Sequence, residues 1–221
     1  DRDGHLFPVI DRVIDTYLGV TFLHIASNDE FKAAQFPRAP IEFGSFVVAV
    51  RATQQGEREV FPTYVTALRS QISNFKSTIE SSERMTRLLG LRDTIPARFG
   101  GQFAIRLDGS VVGFVRSGGL VSGNLIAART ELLAQKGNLE SPRLGITYEN
   151  YAQVVVMEVT RASAVARAGV RPGDVITAVN GVLFSRDTFF ADVLAGVATD
   201  QAVTLKVMRG KESLEIVIPA R

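Results

Sequence analysis

The chain has 221 residues, 46% of them hydrophobic, which suits one large or two ordinary globular domains with packed cores. Its 25 basic and 23 acidic residues nearly cancel, so no strong field argues for nucleic acid or an anionic membrane as partner. The lack of cysteine excludes disulfides, thiolate catalysis and cysteine-based zinc sites, and no apolar run reaches the length of a membrane span.

The opening Asp1–Pro8 reads as a hairpin entering a strand, with no secretory signal, so the expectation is a chain that starts inside a domain. From Leu6 to Ser70 the signals are strands. Leu6–Arg12 and Leu18–Ala26 are β-branched and aromatic-rich, with Asp15-Thr16-Tyr17 as the turn between them. Ser45–Val50 is a near-continuous apolar run, which predicts a strand buried on both faces, and after the turn-rich Thr53–Glu57 a further strand is expected at Glu59–Leu68. No long strand–helix alternation appears, so an antiparallel barrel or sandwich is expected rather than a doubly wound parallel sheet.

Residues 71–93 change character. Ile79, Met85, Leu88 and Leu89 predict an amphipathic helix over Ser77–Leu91, a surface element or an effector-responsive loop. Strands return at Gln102–Leu107 and Val111–Arg116. Asn124–Gly137 reads as a helix with Leu125, Ala128, Leu132 and Leu133 on one face and Gly137 as its stop. The polar connector Asn138–Pro142 divides the chain into expected domains of residues 1–140 and 141–221.

Beyond Pro142 the expected order is strand (Leu144–Tyr148), strand (Val154–Val159), short helix (Ala162–Ala168) and an Arg171–Asp174 turn. Then come strand Val175–Val179, an Asn180-Gly181 turn, helix Arg186–Val197, and a closing hairpin of Val203–Met208 with Leu214–Ile218.

Two stretches resemble known families. Ile95-Pro96-Ala97-Arg98-Phe99-Gly100-Gly101, followed by the Leu107-Asp108-Gly109 turn and Val111-Val112-Gly113, is similar to the nucleophile loop of trypsin-fold serine proteases of the HtrA (Deg) type. That loop reads I-N-P-G-N-S-G-G-P-L in the family. Phe43–Val50 and Tyr64–Leu68 are similar to its V-G-D-W-V-x-A-I and G-I-V-S-A-L segments. In this register Phe99 stands where the family has its serine, and matching Val20–Ile25 to the family's L-A-V-L-K-I segment puts Gly19 where it has the triad aspartate. Ala97 replaces the glycine two residues before the nucleophile. Acyl transfer needs an activated hydroxyl, a base and a carboxylate that orients the base. Phe99 and Gly19 can supply neither the first nor the last, so no catalytic residue is expected. His5 and His24 read as ordinary strand residues. Ser117-Gly118-Gly119 lacks a glycine two residues upstream and an Asp-Gly turn after it, so it does not read as the nucleophile segment.

Residues 143–221 resemble a PDZ domain, on Arg143-Leu144-Gly145-Ile146, on Val165–Ile176 with its Arg171-Pro172-Gly173-Asp174 turn, and on Val179-Asn180-Gly181. Such a domain adds a peptide as an extra strand at a sheet edge. The Leu144-Gly145-Ile146 turn is expected to hold the terminal carboxylate on backbone N–H groups, with Gly145 letting the chain approach. Leu144 and Ile146 are expected on one wall of the last side chain's pocket. Phe190, Val193 and Val197, spaced i, i+3, i+7, are expected on the other.

The combined expectation is a mainly β chain, with a trypsin-like antiparallel barrel that lacks its start followed by a PDZ domain. Its expected role is a non-catalytic HtrA-like pseudoprotease that binds peptides or protein C-termini with an apolar last residue, acting as scaffold, adaptor or regulator. Its expected partners include HtrA relatives, and no cofactor or metal is expected. The alternatives are an active HtrA-type endopeptidase in protein quality control and a metal- or ligand-binding pseudoenzyme. The resemblance further implies an extracytoplasmic (periplasmic or equivalent) protein, a trimer, and a triad histidine upstream of residue 1.

Overall fold

The computed structural model describes residues 6–31, 33–36, 41–53, 56–69, 88–116, 119–150, 153–184 and 190–220. The expected helix over Ser77–Leu91 lies mostly outside these residues, as do His5 and Ser117.

Strands β1 (Val9–Asp15) and β2 (Val20–Ile25) form an antiparallel two-stranded sheet. A closed barrel follows, in which β3 (Phe46–Ala52), β4 (Arg58–Arg69), β5 (Leu88–Leu91), β6 (Phe103–Ile105), β7 (Val111–Arg116) and β8 (Gly119–Ser122) run in the order β3-β4-β5-β8-β7-β6. The barrel interior is aliphatic and aromatic, with Val47, Ala49, Val65, Leu89, Val112, Val115 and Leu120 around Phe99.

Two expectations change here. Ser45–Val50 is not buried on both faces: Val47 and Ala49 are fully buried, while Phe46, Val48 and Val50 are only half-buried. The alternation is that of a barrel strand with one face inward and one toward the surface. Leu88–Leu91, expected as the end of a helix, is instead β5, paired with β4 and β8. Adjacent leucines read as helical in a polar context, but here Leu89 enters the barrel core while Leu88 joins a second cluster outside it. A strand buried on both faces consumes consecutive apolar residues.

Helix α1 (Gly123–Lys136) leaves β8 and ends at Gly137, whose left-handed φ of 69° lets its N–H cap Leu133 O. Leu125 and Ile126 pack with Leu18, Leu88, Phe114 and Val121 on the outer face of the barrel.

The second sheet contains β9 (Ile146–Asn150), β10 (Val154–Val159), β11 (Val175–Val179), β13 (Val203–Arg209) and β14 (Glu212–Ile218), ordered β14-β13-β11-β10-β9, with β12 (Val182–Leu183) paired to β11. Helix α2 (Ala164–Arg167) starts at Ser163, whose Oγ accepts the Ala166 N–H. Helix α3 spans Phe190–Ala195 and stops short of the expected Val197. Gly196, where a Cβ would meet the Ala128 Cβ of α1 at 3.2 Å, lies in a tight last turn and donates its N–H to Val193 O. The chain turns there, with the Val197 N–H donating to Leu194 O. Leu144, Ile146, Val156, Ile176, Phe190, Leu205 and Ile216 belong to this sheet's core.

Candidate functional site

The Leu144–Ile146 turn enters β9, the edge strand of the second sheet. Gly145 has φ 74°, and a Cβ there would lie 3.2 Å from the Ser163 Cβ and 3.3 Å from the Thr160 Cβ, so both conformation and space require glycine. Its carbonyl accepts the Thr160 N–H at 2.8 Å, which fastens the turn to the segment before α2. Among the described residues, the N–H groups of Leu144 and Gly145 donate to no acceptor. Two unbonded N–H groups on one tight turn form a ready anion cradle.

An open cavity of about 1140 Å³ lies beside this turn, lined by Leu144, Gly145, Tyr148, Phe190, Ala191 and Leu194. Its floor is aromatic: Tyr148 meets Phe190 edge-on at a ring distance of 4.9 Å, and Phe184 packs on Phe190 from outside the lining at 5.9 Å. The structure therefore brings Leu144, Gly145 and Phe190 to one cavity. Ile146, Val193 and Val197 do not line it. Ile146 and Val197 are in the core, Val197 from beyond the helix end, and Val193 packs against that core from its edge.

The cavity has a second wall that the sequence reading missed. Thr16 and Tyr17, from the turn between β1 and β2, and Arg129 of α1 also line it. The Tyr17 hydroxyl donates to Asp192 of α3 at 2.7 Å. Burial pushes the Tyr17 phenol well up, with the Asp192 carboxylate adding to the shift, so the hydroxyl remains a donor. Arg129 is the centre of this joint. Its Nε donates to Asp15 Oδ2 at 2.7 Å, Nη1 to Ser141 Oγ and Ala195 O, and Nη2 to Leu139 O. Asp15 is fully buried and also accepts the N–H groups of Tyr17 and Leu18. A buried pair with its remaining hydrogen-bonding capacity filled fixes geometry more than it adds stability. One signal was legible: Arg129 sits among Leu125, Ile126 and Leu132 on the buried face of its helix, where a cation requires a partner.

At the protease-like loop, Ala97–Phe99 forms a 3-10 turn. The Phe99 side chain is 1% exposed, in the barrel core beside Phe61. Its N–H donates to Pro96 O at 2.9 Å, and those of Gly100 and Gly101 to Ala97 O and Val115 O. Gly19 has φ 70°, and the Arg116 guanidinium occupies the space beside it: a Cβ at Gly19 would lie 3.2 Å from the Arg116 Cζ. Arg116 Nη1 donates to Leu18 O at 2.8 Å. His24 is exposed on β2.

A family model described as PDZ domain matches residues 142–219. The structure of the HtrA-type protease AlgW with decapeptide superposes at a TM-score of 0.55 and 18% identity, covering 93% of this chain and 68% of that one. That of AlgW with tripeptide gives 0.54 and 17%, covering 88% and 71%. The chain has an HtrA-like fold, a trypsin-type barrel with a PDZ domain. At these identities the likeness to AlgW is one of fold. The chain spans 62% of the length of AlgWS227A in its structure with decapeptide. No curated protein matches the sequence. The sheet β9–β14 with α2 and α3 lies within the PDZ match, so the Gly145 turn and the Phe190 side of the cavity fall in the PDZ domain, while its Tyr17 and Arg129 wall lies outside the match. Among the described residues no helix is long and apolar enough to cross a membrane.

Proposed function

We propose that this protein is a non-catalytic HtrA-like pseudoprotease that captures peptides or protein C-termini ending in an apolar residue. The observation that carries the reading is the Leu144–Gly145 turn, with two uncommitted N–H groups beside a cavity floored by Phe190 and Tyr148. A terminal carboxylate takes the N–H groups, its side chain takes the aromatic floor, and the peptide backbone extends the sheet along β9. The solved AlgW structures with peptide lend support at the level of fold.

The non-catalytic half rests on the loop at Phe99. The ring has no nucleophilic atom, and the Phe99 backbone N–H is spent on Pro96 O rather than left to stabilise an oxyanion. Gly19 has no carboxylate to orient a base. A scaffold, adaptor or regulator of HtrA relatives, working outside the cytoplasm as a homotrimer, fits this reading.

The test is fluorescence polarisation with labelled peptides that end in a free apolar residue. Amidating the C-terminus should weaken binding at least tenfold, and Gly145→Ala should do the same, by filling the turn with a Cβ. The protein should neither cleave unfolded casein nor react with a serine-directed phosphonate. Cleavage with labelling, or equal affinity for acid and amide peptides, defeats the proposal.

A further inference from the structure

A second cavity, of about 470 Å³, opens where the β1–β2 turn faces the barrel, lined by Gly19, Thr21, Phe103, Phe114, Val115 and Arg116. It is separate from the PDZ groove. Phe114 is buried, and Phe103 is half exposed at 52%. The walls are thus mostly apolar, and the one charged group is the half-buried Arg116 guanidinium.

That cation lacks a counter-charge among the described residues. Among the described residues Arg116 makes no ion pair, and its one hydrogen bond goes to Leu18 O. The nearest acid in sequence on the same turn, Asp15, is consumed by Arg129. A guanidinium carries five N–H donors in a planar fork, and one described bond leaves most of them unmet. In an apolar-walled cavity such a group favours an incoming anion, because low local polarity strengthens the pairing and water satisfies the fork only in part.

The donor set also selects the kind of anion. The N–H groups of Gly100 and Gly101, which line the same cavity, are both committed to backbone carbonyls. No backbone nest remains to share the charge of a phosphate dianion. One planar fork matches one planar carboxylate in bidentate fashion, and the flanking Phe103 and Phe114 suit a flat apolar body. Gly19 is the residue that makes room, since any side chain there would begin 3.2 Å from the guanidinium.

We propose that Arg116 and the space left by Gly19 form a binding site for a small organic monocarboxylate with an apolar body. The site lies in the cleft where the protease resemblance locates the triad aspartate, and it uses that cleft for recognition rather than hydrolysis. It holds whether or not the PDZ groove takes peptides.

Benzoate and its neutral isostere benzamide, titrated into the isotopically labelled 221-residue protein, test it by NMR. Benzoate should shift the amides of Gly19, Gly100 and Gly101 with a Kd on the order of 1 mM, as expected for so small a ligand. Benzamide should bind at least tenfold more weakly. Arg116→Met should remove benzoate binding. Gly19→Asp should also remove it, by supplying an internal carboxylate at a backbone conformation that aspartate tolerates. Should Arg116→Met fail to fold, the acid–amide comparison and Gly19→Asp still decide the matter. Equal binding of benzoate and benzamide overturns the proposal. So do the absence of shifts at these amides and benzoate affinity that survives either substitution in a folded protein.

Discussion

Replacing Phe99 with serine would put back the atom that the protease resemblance calls for, and the structure says what that costs. The ring is 1% exposed and packs among Val47, Ala49, Val65, Leu89 and Val112, with Phe61 at a ring distance of 6.1 Å. Removing a buried phenyl ring loses its transfer free energy and leaves a cavity, together about 3–5 kcal/mol. The serine hydroxyl would then lie in an aliphatic core and add to the loss unless it found an acceptor. For a chain of this size each kcal/mol moves the melting temperature by about 2–4 °C, so a drop of roughly 6–20 °C is expected. Urea titration of wild type and Phe99→Ser, followed by far-UV circular dichroism, measures it directly. Casein hydrolysis by the variant should stay at background, because the Phe99 N–H is turned into Pro96 O and no carboxylate stands at Gly19. A loss below about 1 kcal/mol would refute the packing argument. Hydrolysis above background would refute the chemical one.

Three further predictions concern the rest of the molecule. Asp15→Asn strips the counter-charge from Arg129 at the joint, and should cost about 3–5 kcal/mol in denaturant unfolding, the usual penalty for orphaning one half of a buried pair. Tyr17→Phe removes a hydrogen bond to the Asp192 carboxylate and should cost about 1.5–3 kcal/mol in the same measurement, with the cavity wall otherwise intact. Asp174 supplies a pH dependence. Burial pushes its carboxyl up, but the Arg209 guanidinium and the Arg171 N–H outweigh burial and hold it below the usual carboxylate range. Its folded pKa is therefore lower than its unfolded one, near 3.9, so its contribution is complete above about pH 4–5 and fades as pH falls through the depressed value. Asp174→Asn should reduce stability at pH 7 and flatten its fall in acid, measured by melting temperature between pH 2 and 7.

The turn and strand chemistry of residues 143–221 was legible because it is local. Strands Val154–Val159 and Val175–Val179 appear with their expected limits, and Asn180, at φ 47°, adopts the left-handed turn that Asn-Gly signals. Helix α3 ends two residues before the expected Val197, in a tight last turn that the apolar spacing does not mark. Leu88–Leu91 was misread for a related reason. An apolar pair has no period of its own, and only its neighbours β4 and β8 make it a strand. At the candidate site the sequence offered Leu144, Gly145 and Ile146 from a motif and Phe190, Val193 and Val197 from helical spacing, and of these Leu144, Gly145 and Phe190 reach the cavity. It concealed Tyr17, and for Arg129 offered only a cation on an apolar helix face without its partners, because the contacts that bring them to the cavity span 175 and 66–114 residues.

The Arg129 joint bears on how this molecule can be taken apart. The polar connector invites a cut between residues 140 and 141, as though two beads hung on a string. Such a cut would sever Leu139 O and Asp15 from Ser141 and Ala195 O, four acceptors that one guanidinium now gathers. The released C-terminal piece would carry α3 without the α1 surface that meets Gly196, and without the tyrosine that holds Asp192. Helix α3 is the far wall of the cavity, so the shape of the proposed recognition surface is partly written in the other half of the chain. Affinities measured on the severed piece would describe a different receptor.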